Sequence, residues 1–201
     1  MNVVSMALGP VQANCYVVME NGHALLFDPG ADFNIEEVMD KYKISIDAIV
    51  LTHAHFDHIG GVQSLVNRLH CPVYVHPLEV DFLSNPDLNS SSDFGMHVVC
   101  DVKPEFIKEG INLIGTFDLE AIYCPGHSIG STVFKIGQCL ITGDVLFQGS
   151  IGRTDLYSGS PEQMQASLQK LKTLKENYHI LPGHGEFSTL DQEKRYNYYL
   201  K

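Results

Sequence analysis

Thr52-His53-Ala54-His55-Phe56-Asp57-His58 places three imidazoles and a carboxylate within six residues. Imidazole nitrogen and carboxylate oxygen together suit zinc, and iron or manganese also fit that mixture. Packing does not account for such a cluster, because buried polar groups without partners are costly. Alternate side chains of an extended segment share a face, so His53 and His55 can point at one ion. Asp57 and His58, one step on, can reach a second. Three more candidates follow downstream: His127 after Tyr123-Cys124-Pro125-Gly126, Asp144 after Cys139-Leu140-Ile141-Thr142-Gly143, and His184 after Ile180-Leu181-Pro182-Gly183. Taken singly, each is an ordinary loop residue. Beside the cluster they read as ligands delivered from other loops.

Each candidate follows a short apolar run, so strand ends must position them. Ile46, Ala48, Ile49, Val50 and Leu51 read as a strand buried on both faces, which need not alternate. A strand end leading into a helix is where open α/β sheets place ligand sites. Asn21-Gly22, between Cys15–Met19 and Ala24–Phe27, predicts a hairpin. Asn34 and Glu37 predict a capping box for a helix with Ile35, Val38, Met39 and Tyr42 on its apolar face. Ile59, Val62, Leu65, Val66 and Leu69 predict one amphipathic helix. Gly60-Gly61 weakens it by roughly 1 kcal/mol per glycine, which points either to close backbone approach at the metal site or to helix–strand contact. Strands are expected at 72–75, 117–123, 132–136, 139–142 and 178–181. Helices are expected over 77–83, from Ser160-Pro161 to Asn177, and from Asp191. Residues 84–110 are rich in turn formers and read as a loop over the site.

The 201 residues suffice for one domain with a sizeable core, and 1–201 is read as a single domain. Apolar content of 44% and charged content of 18% fit a globular chain. A formal net charge of −11 without a lysine- or arginine-rich run argues against a nucleic-acid or membrane-surface partner. No apolar run approaches the ~20 residues of a membrane span, and no basic stretch followed by an apolar core opens the chain. Five scattered cysteines without a CxxC pair fit a reducing cytoplasm and read as small buried fillers.

The ligand motifs Thr52–His58, Pro125-Gly126-His127, Gly143-Asp144 and Gly183-His184 resemble those of the metallo-β-lactamase superfamily. The resemblance covers nearly the whole chain. It implies an α/β fold, a four-layer αββα sandwich with a metal site on one edge. Cys124-Pro125-Gly126-His127-Ser128 and Gly143-Asp144-Val145-Leu146-Phe147 are similar to the glyoxalase II (hydroxyacylglutathione hydrolase) group. Ser150-Ile151-Gly152-Arg153-Thr154-Asp155 is similar to its short bacterial members. By that resemblance His53, His55 and His127 hold one metal, Asp57, His58 and His184 hold a second, and Asp144 bridges them. Asp28 would orient a ligand histidine, although an aspartate before proline is also an ordinary turn residue. Full-length relatives carry a helical C-terminal extension that supplies much of the glutathione site. Its basic residues have no counterpart here apart from Lys194 and Arg195.

Two divalent ions, zinc before iron or manganese, imply attack by metal-bound hydroxide on a small acyl-thioester such as S-lactoylglutathione. A thiol leaves readily because its pKa is about 8.5, so no serine or cysteine nucleophile is needed. Asp57 is a candidate proton acceptor. Arg153 is either a bidentate clamp for a substrate carboxylate or, as the adjacent acid favours, a partner of Asp155 that fixes its loop. Ser128 reads as a turn cap and Tyr123 as core. The competing readings are a persulfide dioxygenase with one iron on His53, His127 and Asp144, a phosphodiester nuclease that the acidic balance disfavours, and a non-catalytic metal-binding domain. The oligomeric state is left open.

Overall fold

The computed structural model describes residues 1–201. Two six-stranded sheets lie face to face, and helices cover both outer faces. The first sheet takes β1 (Asn2–Leu8), β2 (Ala13–Glu20), β3 (His23–Phe27), β4 (Ser45–Val50), β5 (Val73–Val75) and β6 (Glu105–Phe106), in that order. The second takes β7 (Gly110–Ile114), β8 (Phe117–Tyr123), β9 (Thr132–Ile136), β10 (Cys139–Gly143), β11 (His179–Pro182) and β12 (Ser188–Thr189), again in chain order. On the first sheet lie α1 (Ile35–Tyr42), α2 (Phe56–Ile59), α3 (Val62–Leu69) and α4 (Val80–Ser84); α5 (Pro161–Thr173) and α6 (Leu190–Tyr196) cover the second.

Side-chain alternation along the strands generates this layering. Cys15, Val17 and Met19 of β2 face the α1–α4 layer, while Tyr16 and Val18 face the other sheet. Leu26 and Ile49 face the helices, whereas Leu25, Phe27, Ala48 and Val50 join Phe117, Leu119, Phe134 and Ile141 between the sheets. A third core sets Val133, Leu140 and Ile180 against Met164, Leu168 and Leu171 of α5. Three cores therefore separate four layers. The unbroken apolar run of β4 follows directly, since both of its faces are buried.

Strand direction positions the ligand loops. β3 runs parallel to β4, and β10 runs parallel to β11. β8 and β10 both pair antiparallel with β9, so β8 shares the direction of β10 and β11. The carboxyl ends of β3, β4, β8, β10 and β11 lead to Asp28, the Thr52–His58 segment, His127, Asp144 and His184. Across the two sheets at this edge, the Thr132 amide donates to the Thr52 carbonyl at 2.9 Å and the Asn14 amide to the Gly183 carbonyl at 2.7 Å.

The local expectations hold in most places. Residues Asn21-Gly22 join β2 to β3, and the Asn34 side chain accepts from the Glu37 amide at 3.3 Å. Four corrections apply. The helix read across 59–69 is two helices broken at Gly60-Gly61. α5 ends at Thr173 rather than Asn177. β1 and β7 were not expected from the sequence, because as sheet-edge strands they bury little. The 84–110 segment includes a short 3-10 turn at Ser92–Phe94 and β6. All five cysteines are free thiols and all but Cys71 are buried.

Gly60 and Gly61 are explained by contact with the turn after β3, not with the metal-site side chains. The Gly61 amide donates to the Pro29 carbonyl at 2.8 Å, and a Cβ there would fall 2.3 Å from the Ala31 carbonyl oxygen. Backbone rather than a flexible side chain blocks the space. Gly61→Ala is therefore expected to destabilise the fold by about 1–3 kcal/mol, measured as a lowered urea midpoint at unchanged slope. A wild-type midpoint would show that this turn yields freely.

Candidate metal centre

Seven side chains predicted from sequence meet at one edge of the sandwich. His53, His55 and His127 bring ligand atoms within 4.8 Å of one another, as do His53, His58 and Asp144, and Asp57, His58 and His184. The first triplet joins the loop after β4 to the loop after β8, and its members are buried. The His55 Nδ1 and His127 Nε2 atoms are 2.8 Å apart. Asp144 lies between the triplets. Its Oδ1 is 3.4 Å from His58 Nε2, and its Oδ2 is 3.5 Å from His127 Nε2 and 3.6 Å from His184 Nε2. Asp57 Oδ2 is 3.1 Å from His184 Nε2 and 3.7 Å from His58 Nε2.

A hydrogen-bond network behind the cluster sets the imidazole orientation. Asp28, almost fully buried, accepts the Thr52 amide on Oδ1 at 2.8 Å. Its Oδ2 accepts the Thr52 hydroxyl at 2.6 Å and His58 Nδ1–H at 3.0 Å. The Thr52 hydroxyl has one proton and gives it to Asp28, so at 3.0 Å it accepts from His53 Nδ1–H. His127 Nδ1–H donates to the Arg153 carbonyl at 2.7 Å. These assignments turn the Nε2 atoms of His53, His58 and His127 toward the cluster, the orientation that outer partners impose on metal-binding imidazoles. Asp28 thus contacts a histidine as expected. It also holds Thr52, whose role the sequence did not disclose. Gly183 lets the backbone close on the site, since a Cβ there would lie 2.0 Å from Asp144 Oδ1.

Electrostatics also fit cations. His53 Nε2, His55 Nε2, His58 Nε2 and Asp144 Oδ1 are buried without a hydrogen-bond partner. An unsatisfied buried polar atom costs about 1–3 kcal/mol, and the His53, His58 and Asp144 atoms, grouped together, call for a shared partner, whereas His55 faces the cluster with Nδ1 and its Nε2 lies across the ring. Burial pushes the His55 imidazole down to about 3, and lowers His53 and His127 as well, so these rings are neutral at pH 7. Burial also opposes charge on His58, but the Asp57 and Asp144 carboxylates raise it well above the ordinary range. The acids draw positive charge to this point, and ions held by the same residues would supply it.

The cluster floors a cleft of about 330 Å³ whose walls include Val11, Phe56, Phe94, Phe147 and Leu156. Residues 84–110 contribute to it as a built loop rather than a bare excursion. The Phe56 amide donates to the Asn89 carbonyl at 3.0 Å, and Ser90 and Phe94 line the cleft. Arg153 is the one lysine or arginine on its surface, and its guanidinium pairs with Asp155 at 2.7 and 2.9 Å. Lys194 instead donates to the Leu174 carbonyl, and neither it nor Arg195 lines the cleft. Two readings change. Tyr123 is half-buried and stacks on His76 rather than sitting in a core, and the Ser128 hydroxyl donates to Glu79 at 2.7 Å. Glu79 was missed, because a glutamate in the first turn of a predicted helix ordinarily faces solvent. No helix is long and apolar enough to cross a membrane.

Residues 8–184 match the family model described as the metallo-β-lactamase superfamily. The "Probable metallo-hydrolase YqgX" of Bacillus subtilis is 39% identical over 97% of this chain and 95% of its own. The "Hydroxyacylglutathione hydrolase GloC" of Haemophilus influenzae is 30% identical over 100% and 98%. Among solved structures, the BLEG-1 B3 metallo-beta-lactamase superposes with a TM-score of 0.92 at 37% identity, covering 100% of both chains. The four layers, the strand-end ligands and these matches agree: the chain belongs to the metallo-β-lactamase superfamily of metallo-hydrolases.

Proposed function

We propose that this chain hydrolyses small acyl-thioesters of the hydroxyacylglutathione type at a two-metal centre. The observation carrying this reading is the convergence of seven buried or half-buried imidazole and carboxylate side chains, five of which (His55, Asp57, His127, Asp144 and His184) line one small cleft while His53 and His58 lie buried beside them. His53, His55 and His127 would hold one divalent ion, Asp57, His58 and His184 a second, with Asp144 reaching both. Bound divalent ions supply Lewis acidity, polarising a carbonyl and lowering the pKa of water from about 15.7 toward 7. The nitrogen-rich set suits zinc, with iron and manganese as alternatives.

The chain's own residues do the remaining work. Asp28, Thr52 and the Arg153 carbonyl hold three imidazoles with their Nε2 atoms turned inward. Asp57, which lines the cleft, would accept a proton. Val11, Phe56, Phe94, Phe147 and Leu156 exclude water around an acyl group. A cleft of about 330 Å³ is near the small end of ligand sites, so a compact acyl group fits and the thiol carrier extends outward. A thiolate leaves without a general acid. The relative named as a hydroxyacylglutathione hydrolase spans this chain and supports the thioester class. The pairing of the Arg153 guanidinium with Asp155 supports a loop-holding role over a substrate clamp, and a net charge of −11 offers a nucleic acid little attraction.

Zinc-loaded protein should hydrolyse S-lactoylglutathione and shorter acyl-thioesters. Chelator should abolish turnover, and His55→Ala or Asp144→Ala should cost more than the roughly 10–100-fold that outer partners are worth. Metal-loaded protein that leaves every thioester intact while opening a β-lactam ring would sink the assignment. One iron per chain with persulfide-dependent oxygen uptake would move it to an oxidoreductase.

Asp28→Asn sets an amide NH₂ against one of three donors that the carboxylate now accepts. It is expected to weaken binding of the ion held with His58 by roughly 10–100-fold, read by chelator competition. Unchanged affinity would reduce Asp28 to a turn residue.

A further inference from the structure

We propose that Glu79 is a positioning residue for the metal centre, its carboxylate fixing the spacing between the loop that carries His53 and His55 and the loop that carries His127. That role rests on the metal-centre reading above.

Glu79 closes the 3-10 turn Pro77–Glu79 that follows β5, and its relative exposure is 0%. It bonds none of the seven ligand side chains. Instead its Oε2 accepts the amide of Ala54, the residue between the two histidines, at 2.9 Å. Its Oε1 accepts the Ser128 hydroxyl at 2.7 Å and the Gly130 amide at 2.6 Å, immediately beyond His127. Ala54 follows a strand of the first sheet, while Ser128 and Gly130 lie between β8 and β9 of the second. One buried carboxylate therefore ties the two sheets together directly behind the ligands.

The loop is shaped around that carboxylate. A Cβ on Gly130 would lie 2.5 Å from Glu79 Cγ, so this close approach requires a residue without a side chain. A carboxylate also has the chemistry the place demands, because it offers acceptors at both ends. Glutamine would turn its NH₂ toward either the Ala54 amide or the Ser128 and Gly130 donors, setting donor against donor. Burying a carboxylate is costly and is tolerated where donors satisfy it, as three do here.

The geometry being held is exacting. His55 and His127 come from opposite sides of this tie, with nitrogens 2.8 Å apart. Ligand distances at a metal must be right to about 0.2 Å. A shift of either loop therefore changes affinity and ligand field before it changes the fold.

The test uses the full chain as wild type, Glu79→Gln and Ser128→Ala. Three quantities are read: zinc affinity by competition with a chromophoric chelator, the visible spectrum of the cobalt-loaded protein, and the thermal midpoint of the metal-free protein. Glu79→Gln is expected to lose roughly 10–100-fold in affinity for one of two ions and to shift the cobalt spectrum. Ser128→Ala should move both in the same direction by less. Wild-type affinity and spectrum in Glu79→Gln, even with a lowered midpoint, would overturn the positioning role and leave Glu79 a packing residue. Should Glu79→Gln fail to fold, unchanged affinity and spectrum in Ser128→Ala would overturn it equally. A wild-type chain that takes up no ion would remove the metal-centre reading and this role together, an outcome distinct from failure in the variants alone.

Discussion

The constraint on which the rest of the structure depends is the crowding of electron pairs that cannot satisfy one another. Imidazole nitrogens and carboxylate oxygens from four loops face a common point, and several are buried without partners. Nothing in the local chain favours this, since unpaired buried acceptors raise the free energy of the folded state. The surrounding fold must therefore impose it. The cost is offset elsewhere, by three apolar cores that hold the layers whatever happens at the edge.

How the fold imposes it follows from strand direction. Parallel neighbours β3 and β4 in one sheet, and β10 and β11 in the other, end on the same side. A residue placed just past any of those ends arrives at the site whichever sheet it comes from. Backbone links between Thr132 and Thr52, and between Asn14 and Gly183, keep the two sheet ends in register. Buried side chains refine the alignment: Asp28 and Thr52 turn the rings, and Glu79 joins loops of opposite sheets. Short glycine-to-backbone approaches leave those loops little freedom to drift.

The cleft above the cluster separates two sets of residues. Candidate ligands form its floor, and residues 11, 56, 90, 94, 147 and 156 line the rest of it. Ser90 and Phe94 come from the irregular 84–110 segment, where sequence can change without disturbing a sheet. Arg153 shows the division of labour within one residue. Its carbonyl orients His127 while its guanidinium is engaged by Asp155.

The sequence by itself determined the candidate ligands and much of the local structure. Thr52–His58 was legible because four metal-capable groups so close together have no packing explanation, and the hairpin at Asn21-Gly22 and the alternation of β2 are written in short-range chemistry. The four-layer arrangement came from likeness of motifs rather than from periodicity. Weakly buried strands such as β1 and β7, the break at Gly60-Gly61 and the end of α5 were decided by neighbours distant in sequence. So were the links of Thr52 to Asp28 and of Glu79 to Ala54, Ser128 and Gly130, made across 24 or more residues by residue types ordinary for a turn or a helix start. Ligand identity is a property of residue type and spacing, and the chain carries it openly. Which groups stand behind the ligands depends on loops meeting in space, which only the tertiary structure brings about.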